Sequence, residues 1–106
     1  MADGAVKKIR QLLDLFDEDR RAVSGTRGGS IYGRAALQMN LQIYEHLRGR
    51  VAIRIPETAI ACGTTKPTVA RALEDLESLH VAREVTGKPR NRLYVYQRYL
   101  DILNKD

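Results

Sequence analysis

The chain has 106 residues, 43% of them hydrophobic and 29% charged, with a formal net charge of +5. That length allows one domain with one modest core, and the basic excess favours an anionic partner without requiring one. The single cysteine, Cys62, excludes an intrachain disulfide; no apolar run approaches a membrane span and no signal-peptide core opens the chain, so the expected location is the cytoplasm.

Residues 4–22 predict an amphipathic helix, with Val6, Ile9, Leu12, Leu13 and Phe16 at helical spacing. Lys7, Lys8, Asp14, Glu18 and Arg21 occupy its polar side, and Asp17, Glu18 and Asp19 read as a solvated face. Five basic and five acidic side chains balance over residues 1–22, so the positive excess lies further along. A helix with one apolar face needs cover, from its own domain or from a second copy. Residues 1–22 are therefore expected to be a connector or dimerisation helix, residues 23–29 a glycine-rich linker, and residues 30–106 the main domain.

Gly28 and Gly33 have the spacing that opens a phosphate-binding loop, but Arg34-Ala35 follow where lysine and a hydroxyl residue are needed, and no strand precedes. Ser30 is placed to cap a helix over about 30–48, with Leu37, Leu41, Tyr44 and Leu47 as apolar positions. The alternation from Val51 to Arg54 reads as a short strand. Ile55 precedes proline and is biased towards extended backbone, while Pro56 suits a first helical position.

A short helix over 56–62 should end at Gly63 in a left-handed turn, and Thr65 should cap a second helix running to about Leu79. Pro67 is tolerated there because the first turn has no intrahelical donor to lose. Val69, Ala72, Leu73, Leu76 and Leu79 form the apolar arc of this helix. Pro67, Ala70, Arg71, Glu74 and Ser78 lie opposite, with Lys66 and Thr68 on the flanks. Strands are expected at about 82–86 and 92–96 around Gly87-Lys88-Pro89-Arg90-Asn91, and a last helix over 97–104 carries Tyr99, Leu100 and Leu103. The order of elements describes a mainly α fold with a small antiparallel β wing, a winged helix-turn-helix.

The end of the second motif helix nearest its cap is basic and hydroxylic, whereas Glu74, Asp75 and Glu77 sit at the far end. That polarity suits a recognition helix inserted by its N-terminal residues, since acids deeper in a groove would repel phosphate. Thr65, Thr68 and the helix N-terminus, with Pro67 in the first turn, are candidates for phosphate contacts; Lys66 and Arg71 can reach phosphates or a guanine edge. Lys88, Arg90 and Arg92 form a second candidate site at a hairpin tip, of the kind that tracks the phosphate backbone or a minor groove. Tyr94 and Tyr96 are expected to pack beside the last helix, and Cys62 to be a small core residue. His46 and His80 are isolated from any ligand or catalytic spacing. The reading therefore includes no catalytic residue, no metal and no cofactor.

From about Gly33 to Asn104 the sequence resembles the C-terminal winged-helix domain of bacterial Fic-family proteins. The resemblance rests on Arg54-Ile55-Pro56, on the run from Gly63 to Val69, on Leu73-Glu74-Asp75-Leu76, and most specifically on the run from Glu84 to Tyr96 with Tyr99 to Asn104 behind it. Leu15 to Arg20 look like the connector that leaves the Fic domain. The Fic catalytic motif, a His-Pro-Phe opening followed by Gly-Asn-Gly-Arg, is absent, so AMP transfer is not implied. His80 stands where such domains commonly have glycine; histidine tolerates left-handed backbone better than a branched residue. The expected function is double-stranded DNA binding in transcriptional regulation, as a homodimer with the first helix a principal contact. The alternatives are a protein-interaction winged helix and a non-catalytic regulatory piece of a Fic-type protein.

Overall fold

The computed structural model describes residues 2–24 and 33–105. Helix α1 spans Ala2–Val23, α2 Arg34–Arg50, α3 Ile55–Ala61, α4 Lys66–Ser78 and α5 Gln97–Leu103. Strands β1 (Ala52–Arg54), β2 (Arg83–Glu84) and β3 (Leu93–Val95) make one antiparallel sheet in the order β1-β3-β2. The described chain is thus mainly helical with a small three-stranded sheet. Of the linker expected over 23–29, residues 25–29 lie outside the described residues, and so does Ser30. Helix α2 begins later than its expected cap, with Gly33 in the N-cap position and no side-chain cap bond.

The two strands expected around the basic turn are shorter than their apolar alternation suggests. β3 is the centre of the sheet: Ile53 pairs with Tyr94 on one side, and Glu84 pairs with the same tyrosine on the other. Helices α2 and α4 pack together through Ile43, Tyr44 and Leu47 on one and Val69, Ala72, Leu73 and Leu76 on the other, all fully buried. Burial of this kind contributes on the order of 1.5–3 kcal/mol for each large aliphatic side chain. The buried arc of α2 is rotated from the expected one, since Ile43 and Asn40 face the core while Leu37 and Leu41 are half-buried. Leu79, expected on the buried arc of α4, is instead the exposed C-cap.

Helix α1 differs most from its sequence pattern. Its C-terminal half packs on α2 and α5, burying Leu15 and Val23 with Phe16 against them. Val23, expected to open a linker, is the last residue of the helix and only 2% exposed. Asp19 is also buried, at 1% exposure, which corrects its reading as a solvated acid. The Tyr96 hydroxyl and the Arg98 guanidinium both donate to its carboxylate. Val6, Ile9 and Leu13, by contrast, remain 51%, 57% and 60% exposed along one side of the N-terminal half. No helix of the described residues is long and apolar enough to cross a membrane.

Two left-handed turns have the same hydrogen-bond pattern. After α3, Gly63 has φ +64°, its N–H donates to Ile60 O at 3.2 Å, and the Thr64 N–H donates to Ala59 O at 2.9 Å. After α4, His80 has φ +63°, its N–H donates to Glu77 O at 2.9 Å, and the Val81 N–H donates to Leu76 O at 2.9 Å. Each is a Schellman ending that satisfies helix carbonyls otherwise left open. At the second, buried Val81 follows directly, so the turn carries the chain from the helix into the sheet layer.

Candidate nucleic-acid interface

Helices α3 and α4 are joined by the Gly63 turn, and this turn sets where α4 begins. Ile55, biased away from helix by Pro56 in the sequence reading, is nevertheless the first residue of α3, and the extended position falls on Arg54. The Thr58 hydroxyl donates to Arg54 O at 2.7 Å and is fully buried, which fixes the start of α3 against β1.

Thr65 is the N-cap of α4, with extended backbone and its side-chain oxygen accepting the Thr68 N–H at 3.3 Å. Its hydroxyl also donates to Thr68 Oγ1 at 2.9 Å. The two threonines therefore bond each other, and their first role is to cap the helix. Lys66 and Pro67 are exposed beside them. Val69 turns inward and is fully buried, which orients the opposite face to solvent.

Arg71 is half-buried rather than fully exposed. Its Nη1 donates to Asp75 Oδ2 at 3.1 Å, one turn further along α4. The same carboxylate oxygen accepts from Asn40 Nδ2 on α2 at 2.9 Å. A shallow cavity of about 380 Å³, lined by Gly33, Ala35, Ala36, Met39, Thr68 and Arg71, lies between these helices. The acid and the amide were not among the expected site residues. The Arg71–Asp75 spacing is legible in the sequence as a helical i,i+4 pair; Asn40 is not, because it lies 35 residues away.

The loop from 85 to 92 is tied down from inside. The Glu84 carboxylate accepts the N–H groups of Thr86 and Gly87, each at 2.7 Å, and the Thr86 hydroxyl. These bonds, the Thr86 hydroxyl first among them, hold the Glu84 carboxyl below its usual range. The ladder ends at β2 because the Leu93 N–H, which this register would pair with Val85 O, donates instead to the Thr86 hydroxyl at 3.3 Å. Gly87 and Asn91 both have positive φ, +65° and +55°, so the chain turns twice within the loop.

The three cations expected at this tip are not equivalent. Lys88 and Arg90 are exposed. Arg92 is half-buried, and its Nε donates to Lys88 O at 2.7 Å across the loop. The neighbouring Tyr94 hydroxyl raises its already high pKa. Arg54, from β1, donates to Asn91 O at 2.6 Å and clamps the same loop from outside. Arg54 was not among the expected site residues, because its partner is reached only through the β1–β3 pairing.

Cys62 is half-buried at the end of α3, and burial raises its thiol pKa, which disfavours a reactive thiolate. Burial and the nearby Arg50 lower the pKa of His46. No group of three or more histidine, cysteine, aspartate or glutamate side chains that could hold a metal occurs among the described residues. Tyr94 and Tyr96 are buried, and Tyr96 packs beside the last helix as expected, stacking with Tyr99 of α5 at 6.1 Å between ring centres. No family model, curated protein or solved structure matches this chain.

What the arrangement offers is a cationic surface in two parts. One is the exposed start of α4, where Lys66 and the positive end of the helix dipole favour anions. The other is a rigid loop that presents Lys88 and Arg90. Among the described residues, the large apolar side chains left exposed are Val6, Ile9, Leu13, Ile60, Leu79, Val85 and Leu103, none of them within the first two turns of α4.

Proposed function

We propose that this chain is a winged helix-turn-helix that binds double-stranded DNA, with α4 as the recognition helix and the β2–β3 loop as the wing. The observation that carries the reading is the exposed start of α4, which is basic and hydroxylic and bears no large exposed apolar residue. A protein-docking surface at the same place would need an apolar patch. The stiffened loop with Lys88 and Arg90 at its tip supports backbone contact by the wing. The resemblance to the C-terminal winged-helix domain of Fic-family proteins supports the same fold, and a role in transcriptional regulation within the cytoplasm completes the proposal. No catalytic role is assigned.

The test is a salt series of binding to random and genomic DNA fragments, followed by fluorescence anisotropy. Affinity that falls steeply with salt, and a subset of fragments that binds more tightly than random sequence, are the expected results. Absence of binding to any duplex at low salt would end the DNA reading.

One observation favours a second element of the proposal, a homodimer through α1. Val6, Ile9 and Leu13 form an apolar stripe with no cover in the described chain. A two-fold pair would present two recognition helices to successive turns of one DNA face. The rival reading is a non-catalytic regulatory module of a Fic-type protein, for which the same stripe would seat another domain of that protein.

A further inference from the structure

We propose that Asp75 and Asn40 are positioning residues that set Arg71 for base discrimination; this rests on the DNA-binding reading above. Asn40 lies in the middle of α2, is 4% exposed, and occupies an inward position where helical packing otherwise takes an apolar side chain. Its Oδ1 is buried with no hydrogen-bond partner among the described residues, an arrangement that penalises folding. A leucine at this position would bury well and leave no orphan oxygen. What leucine could not do is donate to Asp75 Oδ2, as Asn40 Nδ2 does at 2.9 Å. The unfavourable amide is therefore explained by the carboxylate it holds.

Asp75 in turn accepts from Arg71 at 3.1 Å on the same oxygen. Arginine is long and has many rotamers, so an exposed one touches phosphates in many geometries and carries no sequence information. Reading guanine requires the planar guanidinium to arrive in one orientation for a bidentate contact. An acid fixed from a neighbouring helix supplies that orientation. A partly exposed ion pair of this kind adds little to stability by itself. The Asn40–Asp75–Arg71 chain therefore makes more sense as alignment than as a structural brace. It also separates two effects of Asp75: its negative charge opposes phosphate approach in general, while its fixed geometry sharpens the choice of one base pair.

The experiment first selects preferred duplexes from a random pool with the parent protein. Affinities are then measured for the best duplex, for its single-base-pair variants, and for random DNA. The proteins compared are the parent, Asp75→Asn, Asn40→Leu and Arg71→Lys, each checked for its thermal midpoint. All three substitutions are expected to reduce discrimination at the same base pair by about tenfold, within the range of one bidentate contact. Asp75→Asn is expected to bind random DNA as well as the parent or better. Asn40→Leu is expected to keep or raise the thermal midpoint. A merely structural role would instead lower the midpoint and weaken all duplexes alike, and that result would overturn the inference. Unchanged discrimination in either folded variant, Asp75→Asn or Asn40→Leu, would overturn it as well. A parent that binds no duplex would overturn the DNA reading itself, which is a different outcome from a parent that discriminates through an unaligned Arg71.

Discussion

The Tyr96 hydroxyl donates to the Asp19 carboxylate at 2.7 Å across 77 residues of sequence, and so fastens the first helix to the end of the central strand. Tyr44 completes the group, with its hydroxyl 3.0 Å from that of Tyr96 and its ring set edge-on at 5.7 Å. Arg98 also donates to Asp19, from the first turn of α5. One buried acid thereby joins α1, α2, the end of β3 and α5. The Phe16 ring, 6.1 Å from Tyr96 and 6.0 Å from Tyr99, covers the group.

Removing that acid should be felt throughout α1. Asp19→Ala removes the buried acceptor shared by the Tyr96 hydroxyl and Arg98, and a loss of about 1–3 kcal/mol is expected in urea unfolding. Asp19→Asn keeps an acceptor for Tyr96 and should lose less. A loss below a few tenths of a kcal/mol for Asp19→Ala would show that the junction is dispensable.

The same residue sets a pH dependence. Burial raises the folded-state pKa of Asp19 above the ordinary 3.8, although the Tyr96 hydrogen bond and Arg98 oppose the shift. In the window above 3.8 the folded protein binds the proton more tightly than the unfolded chain. The stabilisation is complete below that value and is lost as pH rises through the folded pKa. The stability advantage of the parent over Asp19→Asn should therefore shrink as pH rises. Parallel stability curves for the two proteins would contradict this.

The wing cations should separate experimentally. Lys88→Ala with Arg90→Ala should weaken specific and random DNA equally and flatten the slope of log affinity against log salt by about two units. Arg92→Ala should also loosen the loop, because it removes the bond to Lys88 O. Faster amide exchange at Val85, whose N–H pairs with Leu93 O at 3.0 Å, is the expected sign. An unchanged salt slope in the double variant would mean that these two cations are merely solvated.

His80 tests the turn between α4 and β2. It is exposed and has φ +63°, so its side chain adds strain with little packing in return. His80→Gly should raise stability by about 1 kcal/mol, and His80→Val should lower it by a similar amount. Equal stability of all three in denaturant titration would argue against a strained turn.

Assembly should be probed on the exposed stripe. Deleting residues 1–22 would strip Leu15, Phe16 and Asp19 from the core, so loss of the fold is the expected result and says nothing about dimers. Ile9→Gln with Leu13→Gln changes only exposed positions. If the dimer forms through α1, the parent should sediment as a dimer at tens of micromolar and the double variant as a monomer of unchanged helicity. A monomeric parent would leave the stripe to another partner.

Much of the fold is legible in the chain because its signals are local. Helical spacing places α1, α3, α4 and α5 to within a few residues, and Gly63 and Thr65 announce their turn through backbone rules that act over one or two neighbours, whereas the left-handed turn at His80 is legible only through the family resemblance. The basic turn between two strands is readable for the same reason. The length of those strands is not, because the Thr86 hydroxyl takes the Leu93 N–H that would otherwise extend the ladder.

What only the tertiary structure decides concerns residues whose partners are distant. Asp19 follows Asp17 and Glu18 in sequence and looks like them, yet Tyr96 and Arg98 make it the buried junction of the molecule. Asn40 has no neighbour in sequence that explains it, and its meaning comes from Asp75 on another helix. The apolar stripe of α1 is continuous in sequence, but packing covers Leu12, Leu15 and Phe16 to varying degrees and leaves Val6, Ile9 and Leu13 outside. Hydrophobic periodicity and turn chemistry are properties of short segments, so they can be read from the chain. Whether a charge is solvated or an apolar face is covered depends on what the fold brings to it from elsewhere.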